Sequence, residues 1–290
     1  MINNNKLQYH PFHLVSPSPW PILISISLLT TVLGLLLIFK QVTFNNVSNF
    51  AINMFFMGLI SIIIIAFQWW RDIIREGLLE GAHTKKVQLG LKLGFILFVV
   101  SEIMLFISFF WAFFHASLSP NIEIGNIWPP FGLKVFSPWG VPLLNTLVLL
   151  LSGATITWAH QLILIGNFYQ TIYALGTTIN LALFFTGLQV CEYMDASFDI
   201  SDGIYGSVFF LLTGLHGSHV LVGTFFITIC LIRHIFKHFT RTHHLGLEAA
   251  IWYWHFVDVV WLFLFIFVYW WGGSSQNIIQ ENDKNENNEE

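Results

Sequence analysis

Seven runs of apolar residues, each about twenty residues long, divide the chain into blocks separated by polar or Pro- and Gly-containing stretches. They lie at 21–39, 50–70, 93–115, 141–165, 171–192, 205–232 and 249–271. A hydrocarbon core of about 30 Å needs about 20 residues of helix to cross it, so each run is predicted to be a membrane-spanning helix. The runs are apolar on every face, whereas barrel strands alternate apolar and polar over about ten residues. The expected fold is an all-α membrane protein with seven transmembrane helices. Asn45-Asn46, Ser119-Pro120-Asn121, Trp128-Pro129-Pro130 and the stretch from Asp199 to Gly203 punctuate the intervals. Residues 1–20 form an N-terminal segment outside the lipid. Between Arg71 and Lys92 the chain is too charged for lipid but has no proline and keeps Ile74, Leu78 and Leu79 at helical spacing, so it is predicted to extend the second helix past the membrane surface. From Gly272 the composition turns to Gly, Ser, Asn and Glu, and residues 272–290 are predicted to be a disordered acidic tail.

Composition agrees with this pattern and narrows it. Of 290 residues 55% are hydrophobic and 10% charged, which excludes an ordinary soluble enzyme. The net charge of -4 points to no nucleic-acid partner, and Cys191 and Cys230 are too far apart for a CxxC metal or disulfide framework. No cleavable signal is expected, because no apolar core precedes the Pro-rich Ser16 to Pro21. The positions of the charges are more informative than their number. Seven spans put Lys6, Arg71, Arg75, Lys85, Lys86, Lys92, Arg233, Lys237 and Arg241 on the N-terminal side, and only Lys40, Lys134 and Lys284 on the other. Glu123, Glu192, Asp195, Asp199, Asp202 and the acids of the tail gather opposite. Basic residues mark the cytoplasmic or matrix face, so the N-terminus is predicted there and the C-terminus across the membrane.

Several polar residues fall inside the spans. Glu102 is nine residues into the third, roughly 13 Å deep at 1.5 Å per residue. A charge at that depth costs about 2.5–3.5 kcal/mol, so a buried, neutral or proton-exchanging carboxyl is expected. Phe98, Val99, Leu105 and Phe106, one turn away, offer it no partner, which must then come from another helix or from water. A proton-linked carboxyl and a neutral Glu tying two helices together both remain open. Asp258 follows His255 by three residues on one helical face, as a structural hydrogen-bonded pair or part of a proton pathway. His115, His160, His216, His219 and His255 lie in or at the ends of spans, where a haem or metal site would need two or more to converge. His216 and His219 share a face with Gly214, Gly217 and Ser218, the composition of a close helix contact held by interhelical hydrogen bonds. On the basic side Arg71, Arg75, Glu76 and His83 follow Gln68-Trp69-Trp70, and Arg233, His243, His244 and Glu248 flank the sixth and seventh spans. Such residues anchor helices at the interface and can hold phospholipid headgroups. No GxSxG, HExxH or P-loop pattern is present, which gives no support to an active site within this chain.

The segments carrying these features form a recognisable set: SPSPWP (16–21), QWWRDIIRE (68–76), SEIMLFISFFWAFFHASLSP (101–120), VPLLN (141–145), TITWAH (155–160), ISDGIYGS (200–207), LHGSHV (215–220) and WYWHFVDVVW (252–261). In this order, from about His10 to Gly273, the chain resembles the cytochrome c oxidase subunit III family. The resemblance implies seven helices whose first two lean away from the other five to make a lipid-holding cleft. It implies a non-catalytic subunit of respiratory complex IV, the proton-pumping oxidase that reduces oxygen with electrons from cytochrome c. Haem a and copper would then lie in partner subunits, with no metal in this chain, and the partners would be subunit I, other complex IV subunits and phospholipids. The subunit would stabilise subunit I and support its proton uptake. Glu102 matches the family's intramembrane carboxyl, and Trp70, Arg75, Glu76, His83, Arg233, His243 and Glu248 match positions near bound phospholipid. The chain departs from the family pattern at Asn167-Phe168-Tyr169, at Ala82 before His83, and in the tail after Gly273. The implied location is the mitochondrial inner membrane, with a bacterial plasma membrane as the alternative. A proton-coupled transporter using Glu102 is the competing functional expectation.

Overall fold

The computed structural model describes residues 10–42 and 48–273. Among them the chain is helical and without strands, and seven helices are long and apolar enough to cross a membrane. In hydrocarbon a backbone N–H or C=O has no water to bond, so closed helical hydrogen bonding is what this much apolar sequence must adopt. The chain divides into two compact units, Met1–Leu91 and Lys92–Glu290.

In the first unit α1 (Trp20–Val42) and α2 (Asn49–Leu78) form a tightly packed pair. Glycine permits the close approach: a Cβ on Gly34 would fall 2.7 Å from the Cα of Phe55, and one on Gly58 would fall 2.7 Å from the backbone nitrogen of Thr31. Ser48 caps α2 by accepting from the Ala51 N–H. At the opposite end the Trp20 indole donates to Asp72 Oδ2 at 2.9 Å, tying the start of α1 to the last turns of α2. Ile22, Leu36, Ile63 and Phe67 are each more than half exposed, as a lipid-facing surface requires. α2 does not run on to Lys92 as the helical spacing suggests. It ends at Leu78, the chain turns at Gly81 with φ +64°, and Lys85 already opens α3 (Lys85–Leu118).

In the second unit α4 (Val141–Ile165), α5 (Phe168–Met194), α6 (Gly203–Ile235) and α7 (Leu245–Phe263) pack in sequence, and α4 closes the ring against α7. A turn at Gly166, with φ +88°, folds α5 back along α4, and Asn167 caps α5 by accepting from Gln170 N–H at 3.3 Å. Small residues line the contacts, among them Ser152, Gly153 and Ala159 on α4 and Ala174, Thr178 and Ala182 on α5. Polar side chains join the helices: Trp254 donates to Ser152 Oγ and Trp261 to Thr146 Oγ1, both at 2.9 Å, and Thr155 meets Thr178 at 2.8 Å. The transmembrane part of α3 approaches through bulk instead. Phe95, Phe98, Phe106, Phe110 and Phe114 reach rings of α6, α7 and the segment after it, at centroid separations of 5.2–6.4 Å.

Two sequence expectations change here. The last span is not one regular helix: α7 passes at Leu264 into a π-helical segment that runs to Trp271. Gly272 and Gly273, expected in the tail, are helical, and Gly272 packs against Phe113; residues 274–290 of the expected tail lie outside the described residues.

The close α1–α2 contact should not tolerate a side chain at Gly34. Gly34→Ala is expected to destabilise the pair by about 1–3 kcal/mol through overpacking, read as a lower thermal midpoint, while Ile63→Ala on the outward face leaves it unchanged.

Candidate functional site

Glu102 on α3 meets His219 on α6. Glu102 Oε2 lies 2.9 Å from His219 Nε2, and the other ring nitrogen, Nδ1, lies 2.7 Å from the Leu215 carbonyl oxygen one turn back. A carbonyl only accepts, so Nδ1 carries a proton and donates it. The contact at Nε2 then contains one further proton. It belongs either to a carboxylic acid donating to a neutral imidazole or to an imidazolium donating to a carboxylate. Either way the pair has no net charge, which lowers the cost of placing a carboxyl at this depth. Phe106, Tyr253 and Phe256 enclose the imidazole at centroid distances of 5.1–6.2 Å. The site is not fully sealed, because the Glu102 side chain keeps 23% of its surface against 9% for His219.

The other intramembrane groups also pair. His216 Nε2 lies 3.2 Å from the Val257 carbonyl and must donate to it, so this buried ring ties α6 to α7. His255 Nδ1 is 3.4 Å from Asp258 Oδ2, and its Nε2 is 3.2 Å from Thr157 on α4. Asp258 reaches into the space where a side chain on Gly153 would be. The two groups stand at ion-pair distance, and Asp258 Oδ1 is buried without a hydrogen-bond partner.

On the basic side of the second unit Arg233 lies over the Phe239 ring at 4.6 Å, in space that Gly246 leaves open: a Cβ there would fall 2.6 Å from Nη1. The Arg233 Nε is buried without a hydrogen-bond partner, and no ion pair engages this residue among the described residues. Glu248 is engaged twice, by Lys92 through Oε2 and by His244 Nε2 at 3.4 Å from Oε1. His243 donates its backbone N–H to Thr240 Oγ1 at 3.0 Å. On the first unit Arg71 pairs with Asp72 at 2.9 Å, Trp70 is 58% exposed, and His83 covers Gly77 near the end of α2, the stretch that also carries Arg75 and Glu76.

The family model described as cytochrome c oxidase subunit III matches residues 10–273. The chain belongs to the cytochrome c oxidase subunit III family. It is 57% identical over 267 residues to cytochrome c oxidase subunit 3 of Marchantia polymorpha, covering 92% of this chain and 98% of that one. It is also 57% identical to the Arabidopsis thaliana protein over 266 residues, at the same coverage. To the Drosophila melanogaster protein it is 53% identical over 264 residues, covering 91% and 98%. The chain is thus a non-catalytic subunit of an oxidoreductase complex, complex IV, beside its other subunits, and a multi-pass inner-membrane protein.

One group escaped the sequence reading. Glu192, counted there among the acids outside the membrane, is 3% exposed and accepts from Tyr269 Oη at 2.5 Å and from Gln189 Nε2 at 3.3 Å. Gln189 in turn accepts from Asn145 at 3.4 Å. Glu192 sits two residues before the end of α5, where hydropathy does not distinguish an interfacial acid from a buried one, and the π-helical segment carries Tyr269 to it. The one available signal was the i, i+3 spacing of Gln189 and Glu192.

Because Glu102 and His219 satisfy each other, His219→Leu should destabilise the subunit by about 1–3 kcal/mol, the cost of an orphaned group. The double replacement Glu102→Leu with His219→Leu should recover most of it, measured as the thermal midpoint of the subunit in the purified oxidase. A double variant no better than His219→Leu would contradict the pairing.

Proposed function

We propose that this subunit contributes to the oxidase as a lipid-bearing flank of catalytic subunit I rather than through a redox centre of its own. In this reading haem a and copper reside in partner subunits, and this chain supports proton uptake and stability of subunit I. The observation that carries the lipid part is Arg233. Its guanidinium is held over Phe239 beside Gly246, its Nε is buried without a partner, and no acid neutralises it among the described residues. A phosphodiester supplies both the missing acceptor and the missing charge.

The remaining basic-side residues extend the same chemistry. Trp70 with Arg71, Arg75, Glu76 and His83 forms a headgroup-level set on the first unit, and His243 and Glu248 accompany Arg233 on the second. The one-sided distribution of Lys and Arg supports an N-terminus in the mitochondrial matrix and a C-terminus in the intermembrane space. The transporter reading loses its main support, since Glu102 is engaged by His219 and the chain belongs to an oxidase-subunit family.

Replacing Arg233 with Ala is expected to remove about one tightly held phospholipid per complex, read by mass spectrometry of lipid extracted from purified oxidase. Arg75→Ala should act independently and in the same direction. Unchanged lipid content in both variants would overturn the headgroup assignment, and isolation of the chain with no haem-containing partner would overturn the placement beside subunit I.

A further inference from the structure

We propose that His160, His244 and Glu248 form a binding site for a divalent transition-metal ion of the zinc class at the basic-side end of the second unit. The three residues come from the last turns of α4, the connection before α7 and the first turn of α7. One ligand atom from each lies within 4.8 Å of the others. The rings of His160 and His244 stand 5.6 Å apart at 64°.

Hydrogen bonding orients the ligands. His244 Nδ1 is 3.0 Å from the Thr240 carbonyl and donates to it, which fixes the ring with Nε2 turned towards Glu248. Nε2 lies 3.4 Å from Glu248 Oε1. The Lys92 ammonium pairs with the other oxygen, Oε2. His160 brings a second ring alongside. A metal ion among the three would take the place of the single proton that His244 Nε2 and Glu248 Oε1 otherwise share.

The distances suit a metal. Ligands about 2.0–2.1 Å from a tetrahedral zinc stand about 3.4 Å from one another, which is the separation already present between His244 and Glu248. The His160 ring has to move inward by about 1 Å or a little more, within the reach of a side-chain rotation. Two imidazoles and one carboxylate are borderline donors that favour zinc over magnesium or calcium. The Thr240 carbonyl behind His244 is the kind of outer partner that orients metal-binding histidines. Lys92, which also lies 6.0 Å from the Trp252 ring centroid, opposes a cation. Its presence lowers the affinity and makes occupancy reversible.

The test is a zinc titration of the purified, chelator-washed oxidase, with zinc per complex measured by elemental analysis and the bound shell by X-ray absorption. Compared with wild type, His160→Ala and His244→Ala should each lose one equivalent, or bind it at least about tenfold more weakly, and the lost component should show imidazole scattering. Lys92→Met keeps all three ligands and removes the competing ammonium, so it should bind the same equivalent more tightly. Equal stoichiometry and affinity in wild type and both histidine variants would overturn the site, as would unchanged or weaker binding in Lys92→Met.

Discussion

A polar group that enters hydrocarbon has no water to bond, and must find its partner within the protein or stay neutral at a cost of kilocalories. The four-helix ring of α4 to α7 is organised by that constraint. Apolar side chains give no preference for protein over lipid, since lipid tails are as apolar as leucine. What distinguishes one helix face from another is the small-residue contact and the polar pair. Trp254 with Ser152, Trp261 with Thr146, Thr155 with Thr178 and His216 with the Val257 carbonyl each fix a register between two helices. Glu102 and His219 extend the principle to an ionisable pair that joins α3 to α6, beside the aromatic contacts of α3 and its Lys92–Glu248 ion pair.

The second unit combines an arginine without an acid, Arg233, with an acid approached by a lysine and a histidine, Glu248. The first lacks an anion, and the second is already paired with Lys92. The proposed headgroup site and the proposed metal site would then be neighbours on one charged end of the second unit.

The seven spans and the place of Glu102 within the third were legible in the sequence, because twenty-residue apolar runs report lipid directly. Helix ends outside lipid were not. Lys85 to Lys92 reads as an extension of α2, yet Gly81 turns the chain and gives those residues to α3. The need of Glu102 for a partner on another helix was visible, but not which one, since His219 is 117 positions away and His216 is an equal candidate by spacing. The burial of Glu192 was not legible because it is decided by Tyr269, which reaches it through a π-helical segment with no marker in the apolar pattern. His160, His244 and Glu248 were each seen singly, and only the closure of α4 on α7 puts them together.

The central claim is that an intramembrane carboxyl is accommodated by sharing one proton with a histidine whose other nitrogen is committed to the backbone. Isotope-edited infrared difference spectra of the intact oxidase, with labelled histidine and with Glu102→Gln as the reference, read both groups at once at neutral pH. The account predicts either a carboxylic acid with a neutral imidazole protonated at Nδ1, or a carboxylate with an imidazolium. A carboxylate beside a neutral His219, or a carboxylic acid beside an imidazolium, would contradict it.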